Sequence, residues 1–264
     1  MKFYLAGYGV LKKDLHTIPE AINLLESYVM FRQKDYEQWH KDYKLDNRKL
    51  FLDSGAFSAM TQGIKLNIKD YAEFVKKYEH MLEVYANMDV IGDVTATQKN
   101  QAYLESLGLK PLPTFHYKSD LKELERLCKT YKYIALGGLV PIKSEKLVLK
   151  AWLDKCFRVI IPHKTKVHGF GVGAFWLWKS YPWYSVDATT WLGGGKFRKI
   201  AQFNKTTGKL VHTSKTRSSN ISPLNQFHLY TKDYIYLNRI NIIEYTKAAD
   251  YCTRLWEKRG FKYT

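Results

Sequence analysis

Leu112-Pro113-Thr114-Phe115-His116-Tyr117 is followed, after Ser119, by Leu121, Leu124 and Cys128 at helical spacing. Then comes Tyr133-Ile134-Ala135-Leu136-Gly137-Gly138, and after Ser144 a further helical pattern through Leu147, Ala151 and Leu153. A short apolar run with a small or polar residue at its end, then an amphipathic segment, is the pattern of a parallel strand and its crossover helix. The unit recurs outward in both directions. Strands are predicted over Lys2–Ala6, Leu50–Ser54, Asp89–Asp93, Leu112–Tyr117, Tyr133–Gly138, either Arg158–Ile161 or Lys166–Gly171, and Trp183–Asp187. Asn67, with Asp70 three residues on, is placed to cap a helix whose apolar face is Ile68, Tyr71, Phe74, Tyr78, Leu82 and Tyr85. Thr97 is placed to cap another, which Gly108 stops.

Such alternation predicts an α/β fold, and the number of strands fits a TIM-like (β/α)8 barrel in regular or irregular form. A doubly wound open sheet is the alternative. Against it, the glycine-rich pieces form neither a dinucleotide fingerprint nor a phosphate loop. Past Gly193 the chain turns basic and weakly periodic, until Ile240–Lys258 resumes a helical pattern that Gly260 would end. The expectation is one catalytic barrel domain over residues 1–264, with 193–264 as a basic C-terminal extension plus closing helix.

Charge narrows the partner. The 264 residues carry 42 Lys/Arg against 25 Asp/Glu, a formal net charge of +17. A field of that size implies a polyanion, most simply nucleic acid. The 78 residues from Lys155 to Lys232 hold 13 Lys/Arg and a single acid, Asp187, where the average composition would place about seven. Within and beside that stretch Lys164, Lys166, Lys196, Arg198, Lys199, Lys215 and Arg217 are the expected backbone contacts. The amino terminus lacks a charged start followed by a long apolar run, and no segment is a plausible span, so a cytoplasmic protein without membrane attachment is expected. Cys128, Cys156 and Cys252 are widely spaced, which suggests reduced thiols and no disulfide framework. With no paired cysteines and no His-x-x-x-His, no metal site is expected.

In a parallel barrel, chemistry gathers at the C-terminal strand ends. Read in order, those ends are Asp53-Ser54-Gly55-Ala56-Phe57, Asp93, His116-Tyr117, Gly137-Gly138-Leu139, His168-Gly169-Phe170-Gly171-Val172-Gly173 and Asp187. Three carboxylates with small residues between them describe a site for a flat ligand. Each has a bland reading too. Asp53 or Asp93 can cap a turn or helix, the paired glycines can merely turn the chain, His116 can be a packed residue, and the basic run can be a solvated face. Trp176, Trp178, Trp183 and Trp191 read as wall and core, any one of which could stack on a base.

The same strand ends resemble the tRNA-guanine transglycosylases. Asp53-Ser54-Gly55-Ala56-Phe57 is similar to their Asp-Ser-Gly-Gly-Phe-Gln segment, Gly137-Gly138-Leu139 to their Gly-Gly-Leu base-binding loop, and Gly169–Gly173 to their Leu-x-Gly-Val-Gly run. Asp187, after Tyr184-Ser185-Val186, falls where the family has its nucleophile, and Asp93 where it has an aspartate that grips the incoming base. The order holds from about residue 48 to residue 192. Departures are Ala56 and Ser58 in the first motif, Ala188-Thr189-Thr190-Trp191 after the nucleophile, a much shorter chain, and only Cys252 where those enzymes hold a structural zinc. These features resemble the compact, phage-associated (DpdA-like) DNA transglycosylases, whose setting would be the host cytoplasm. The resemblance implies exchange of guanine in DNA for a free 7-deazaguanine base without a cofactor. Asp187 would be the nucleophile and Asp53 the proton carrier. Asp93, Ser54, Gly55, His116, Gly137, Gly138, Leu139 and Gly171 would bind the base. A tRNA enzyme of reduced size, a nucleic-acid-binding barrel that has lost catalysis, and a base-releasing hydrolase are the alternatives.

Overall fold

The computed structural model describes residues 1–17, 22–45, 48, 50–213 and 233–262. Eight parallel strands make one sheet: β1 (Lys2–Ala6), β2 (Asn23–Ser27), β3 (Leu50–Asp53), β4 (Leu82–Tyr85), β5 (Thr114–His116), β6 (Tyr133–Gly137), β7 (Lys166–Gly169) and β8 (Ser185–Ala188). Strand β1 pairs with β2 on one side and β8 on the other, so the order around the sheet is the order in the chain. That order has no switch point, and the doubly wound alternative falls. Between β4 and β5 the ladder is reduced to one parallel bridge, Ala86 to Leu112, with Asn87 N donating to Leu112 O at 2.9 Å and Leu112 N to Tyr85 O at 2.8 Å. The result is a parallel sheet curled into a half-open barrel of TIM-like topology, ringed by helices.

The helices between the strands are α1 (Tyr28–Phe31), α2 (Tyr36–Asp42), α3 (Ala56–Gln62), α4 (Ile68–Tyr78), α5 (Val94–Ser106), α6 (Leu121–Thr130), α7 (Lys146–His163) and α8 (Phe175–Ser180); α9 (Gly193–Phe197) follows β8. Period-two alternation sorts the strand residues. Tyr4, Ala6, Leu25, Phe51 and Ala135 pack together inside the barrel, while Phe3, Leu5, Leu52, Phe115 and Val186 belong to the larger core under the helices.

The structure adds one strand to the sequence reading, moves another, decides between two alternatives and shifts one helix cap. Strand β2 was not anticipated, because Glu26 interrupts its apolar run; Glu26 is buried, its carboxylate taking bonds from Tyr36 and His40 of α2. Strand β4 lies at Leu82–Tyr85 and not at Asp89–Asp93. Leu82 and Tyr85 keep step with the helical period of α4, but that helix ends at Tyr78 and a short 3-10 turn intervenes. Arg158–Ile161 is helical, inside α7, leaving Lys166–Gly169 as the strand. Thr97 lies inside α5, which Asp93 caps by accepting from Ala96 N at 2.9 Å.

The extension packs on the barrel. A hairpin of β9 (Ile200–Asn204) and β10 (Lys209–Thr213) lies against the closing helix, Tyr234–Lys258, which starts earlier than its periodicity suggested. Asn241, 1% exposed, joins three segments: from the closing helix it donates to Trp191 O at 2.9 Å and Lys199 O at 3.0 Å, and accepts from Ala201 N at 2.7 Å. Trp178, Trp183 and Trp191 are wholly buried, their indole N–H groups donating to Val172, Leu177 and Ala6 carbonyls. All three cysteines are buried thiols. Among the described residues no helix is long and apolar enough to cross a membrane.

Asn241→Ala would strand two buried backbone groups, at Trp191 and Ala201, each worth about 1–3 kcal/mol, and a part-buried one at Lys199. The expected loss is about 3 kcal/mol or more, read by urea unfolding. Asn241→Asp keeps the acceptor for Ala201 and loses both donors, and should also destabilise.

Candidate active site

The C-terminal strand ends open into a cavity of about 1080 Å³ whose wall includes Asp53, Asp89, His116, Gly137, Gly138, Leu139, Gly171 and Asp187. Asp53 ends β3. Immediately after it Gly55 turns into α3 at φ +76°, where a Cβ would sit 2.5 Å from Val29 Cγ2 and 2.6 Å from Ser27 Oγ. Only glycine admits that turn, and the turn sets Asp53 at the cavity floor. On the opposite wall Gly171, at φ +67°, aims its N–H at Asp187 Oδ1, 2.9 Å away.

The three carboxylates are held differently. Asp89 accepts from Ser54 Oγ at 2.8 Å on Oδ1 and from His116 Nε2 at 2.7 Å on Oδ2. Asp187 accepts on Oδ1 from Gly171 and lies 3.3 Å from His168 Nε2. Asp53 is pushed up to about 8, first by burial and then by the negative charges of Asp89 and Asp187, against partial relief from the Gly55 and Ser54 N–H groups. Near neutrality it therefore keeps its proton while its two neighbours take donors from the protein. Acid and acceptors thus share one cavity, the separation that proton-transfer chemistry requires.

Asp93 is not among them. It is exposed, and its carboxylate is used as the cap of α5. Asp89, four residues earlier, occupies the strand-end place expected for Asp93, because β4 ends earlier than expected. Ser54 is fully buried and reaches the cavity only through Asp89. The basic residues are scattered. Lys166 begins β7 and exposed Lys164 precedes it, so both sit at the N-terminal rim, away from the cavity. Lys196, Arg198 and Lys199 follow β8, yet none of them lines the cavity. Lys215 and Arg217 lie outside the described residues. The lysines in the wall are Lys34 and Lys143, which the acid-poor stretch does not contain. Sequence reasoning also passed over Asp89 and the pairing of His168 with Asp187. Inward parity with Phe170 along β7 was the available signal for His168.

Asp53 gives a signed pH dependence. A carboxyl near 3.9 unfolded and near 8 folded binds its proton more tightly in the native state, so the stability it contributes is full below about pH 4 and is lost as pH rises through about 8. Asp53→Asn should therefore raise Tm over wild type by more at pH 9 than at pH 5. Equal gains at both pH values would show that Asp53 is not protonated in the fold.

Comparison of the chain with protein-family models, with curated proteins and with solved structures finds no match.

Proposed function

We propose that this chain is a (β/α)8 transglycosylase that exchanges guanine in DNA for a 7-deazaguanine base through a covalent aspartyl-glycosyl intermediate. The observation that carries the reading is the gathering of Asp53, Asp89 and Asp187 from three strand ends into one cavity, with Asp53 protonated near neutrality. The motif resemblance supplies the reaction type.

In this reading Asp187 attacks C1′ of the nucleotide, the C1′–N9 bond breaks, and a proton from Asp53 accompanies the departing guanine. The free base then enters, Asp53 as carboxylate takes its N9 proton, and N9 displaces Asp187 from C1′. One N-glycosidic bond is traded for another, so the balance needs no further reactant. Asp89 takes the role that the resemblance assigned to Asp93. Its oxygens, each already holding one donor, have lone pairs left for the N1–H and amino edge of a purine. Gly138 and Leu139 in the cavity wall support the carbonyl side. A duplex substrate would have to present the nucleotide flipped out of the stack.

Incubation with DNA or tRNA and labelled 7-deazaguanine bases, followed by digestion to nucleosides, tests the proposal. Incorporation into DNA is expected. Incorporation into tRNA alone keeps the chemistry and changes the polymer, whereas guanine release without incorporation makes the chain a hydrolase. Asp187→Ala should abolish the covalent adduct and leave salt-sensitive DNA binding within about twofold; an adduct that persists in the variant removes Asp187 as nucleophile. Asp89→Asn should raise the KM for the free base roughly 10- to 100-fold, the loss of a charged hydrogen bond. Asp93→Ala should leave that KM unchanged while costing about 1 kcal/mol of stability as a lost cap.

A further inference from the structure

Behind Asp187 the barrel interior holds a polar column that the exchange reaction does not itself require. His168 is wholly buried, boxed by Phe51 and Phe170 with ring centroids at 4.5 and 4.6 Å and by Tyr4 at 6.1 Å. Both ring nitrogens nevertheless have partners. Nδ1 lies 2.7 Å from Ser185 Oγ, which lies 2.6 Å from Tyr133 OH, and Nε2 lies 3.3 Å from Asp187 Oδ1. The register explains the line: His168 of β7 is paired with Ser185 of β8, two residues before Asp187 on the same inward face.

We infer that His168 is the positioning residue for Asp187, held as its Nε2–H tautomer by Ser185 and Tyr133, and that it leaves Asp187 Oδ2 as the oxygen presented to substrate. What Asp187 does with that oxygen rests on the transglycosylase reading; the tautomer and the orientation rest on geometry alone. An ionised carboxylate oxygen can only accept, so the proton between the two groups sits on Nε2. Nδ1 then carries the lone pair and accepts from the Ser185 hydroxyl, which in turn accepts from Tyr133. The chain of donors has one direction, set at the carboxylate end. Burial pushes the His168 ring down from its ordinary value, which favours the neutral form that this chain needs.

The second donor falls on the same oxygen. Gly171 N–H reaches Oδ1 at 2.9 Å, so Oδ1 holds two donors, and among the described residues Oδ2 holds none. An oxygen with two donors has its lone pairs engaged, whereas its partner keeps them for attack. Fixing one oxygen also stops rotation of the carboxylate, and displacement at an anomeric carbon demands an aligned lone pair. At 3.3 Å the histidine bond is long. It orients the carboxylate more than it withdraws charge from it.

Two measurements decide the matter. In the ¹⁵N spectrum of the intact protein at pH 7, His168 should show a protonated Nε2 and an unprotonated Nδ1, and Ser185→Ala should mix the tautomers. A charged ring or an Nδ1–H tautomer in the wild type overturns the inference, whatever the protein catalyses. In single-turnover adduct formation with DNA, His168→Phe, which keeps a ring in the aromatic box, should slow the step about 100-fold with the half-saturating DNA concentration unchanged. His168→Gln, which restores a donor near Nε2, should recover at least tenfold of that loss. A wild-type rate in the Phe variant, or no rescue by Gln in a folded protein, refutes the positioning role. If the wild type itself forms no adduct with any polynucleotide, the transglycosylase reading fails, and the spectrum alone decides the histidine assignment.

Discussion

Strand β1 is paired along both of its edges, to β2 and to β8, and the rest of the molecule depends on that double pairing. It joins residues more than 180 positions apart and fixes which side chains meet inside the barrel. With Tyr4 beside Asp187 and Leu5 beside Ala188, the register leaves Asp187 facing inward at the strand end. A slip of one residue would turn Asp187 toward the helices and Val186 toward the cavity. The chain beyond β8 secures the register from outside. Trp191 donates to the carbonyl of Ala6 at the end of β1, and the amino group of Met1 donates to Thr253 of the closing helix at 2.6 Å. What reads in sequence as a basic tail is, in its described parts, a clamp on the first strand.

Within that frame the cavity solves an electrostatic problem. Three carboxylates in one partly desolvated space cannot all remain charged without support. Two are supplied with donors: Ser54 and His116 for Asp89, Gly171 and His168 for Asp187. The third, Asp53, has only the backbone N–H groups of Ser54 and Gly55 and keeps its proton near neutrality. The difference in role follows from which neighbours each strand places beside it, since the three side chains are chemically identical.

The α/β class and most of the cavity-lining strand ends were legible in the sequence because alternation and strand-end composition are local signals. Strands β1, β3, β6 and β8 stand close to their expected bounds for that reason. Strand β2 was hidden by Glu26, whose partners Tyr36 and His40 belong to a helix that period-two patterning cannot see. The misplaced β4 carried an error into the site, exchanging Asp93 for Asp89, because a strand end moved by four residues exchanges a cavity carboxylate for a helix cap. The acid-poor stretch does not map to one face, for a geometric reason. Each parallel strand crosses the barrel from one rim to the other, so any stretch longer than one strand–helix unit visits both. Clustering along the chain therefore placed Lys164 and Lys166 at one rim and Lys196 to Lys199 beyond the other end of the sheet.

The barrel's weakest join lies between β4 and β5, where a single bridge replaces a ladder. Adjacent strands elsewhere share a run of backbone pairs, whereas here two backbone bonds remain, backed by Lys110 N on the Tyr85 hydroxyl and by His116 on Asp89. Amides of Asn87 and Leu112 should thus exchange with solvent by a low-energy local opening well before those of β1 or β8. The segment at this join, Ala86 to Asp89, ends at the carboxylate bonded to Ser54 and His116. The cavity wall at this join consequently rests on fewer backbone pairs than the wall formed where β1 meets β8.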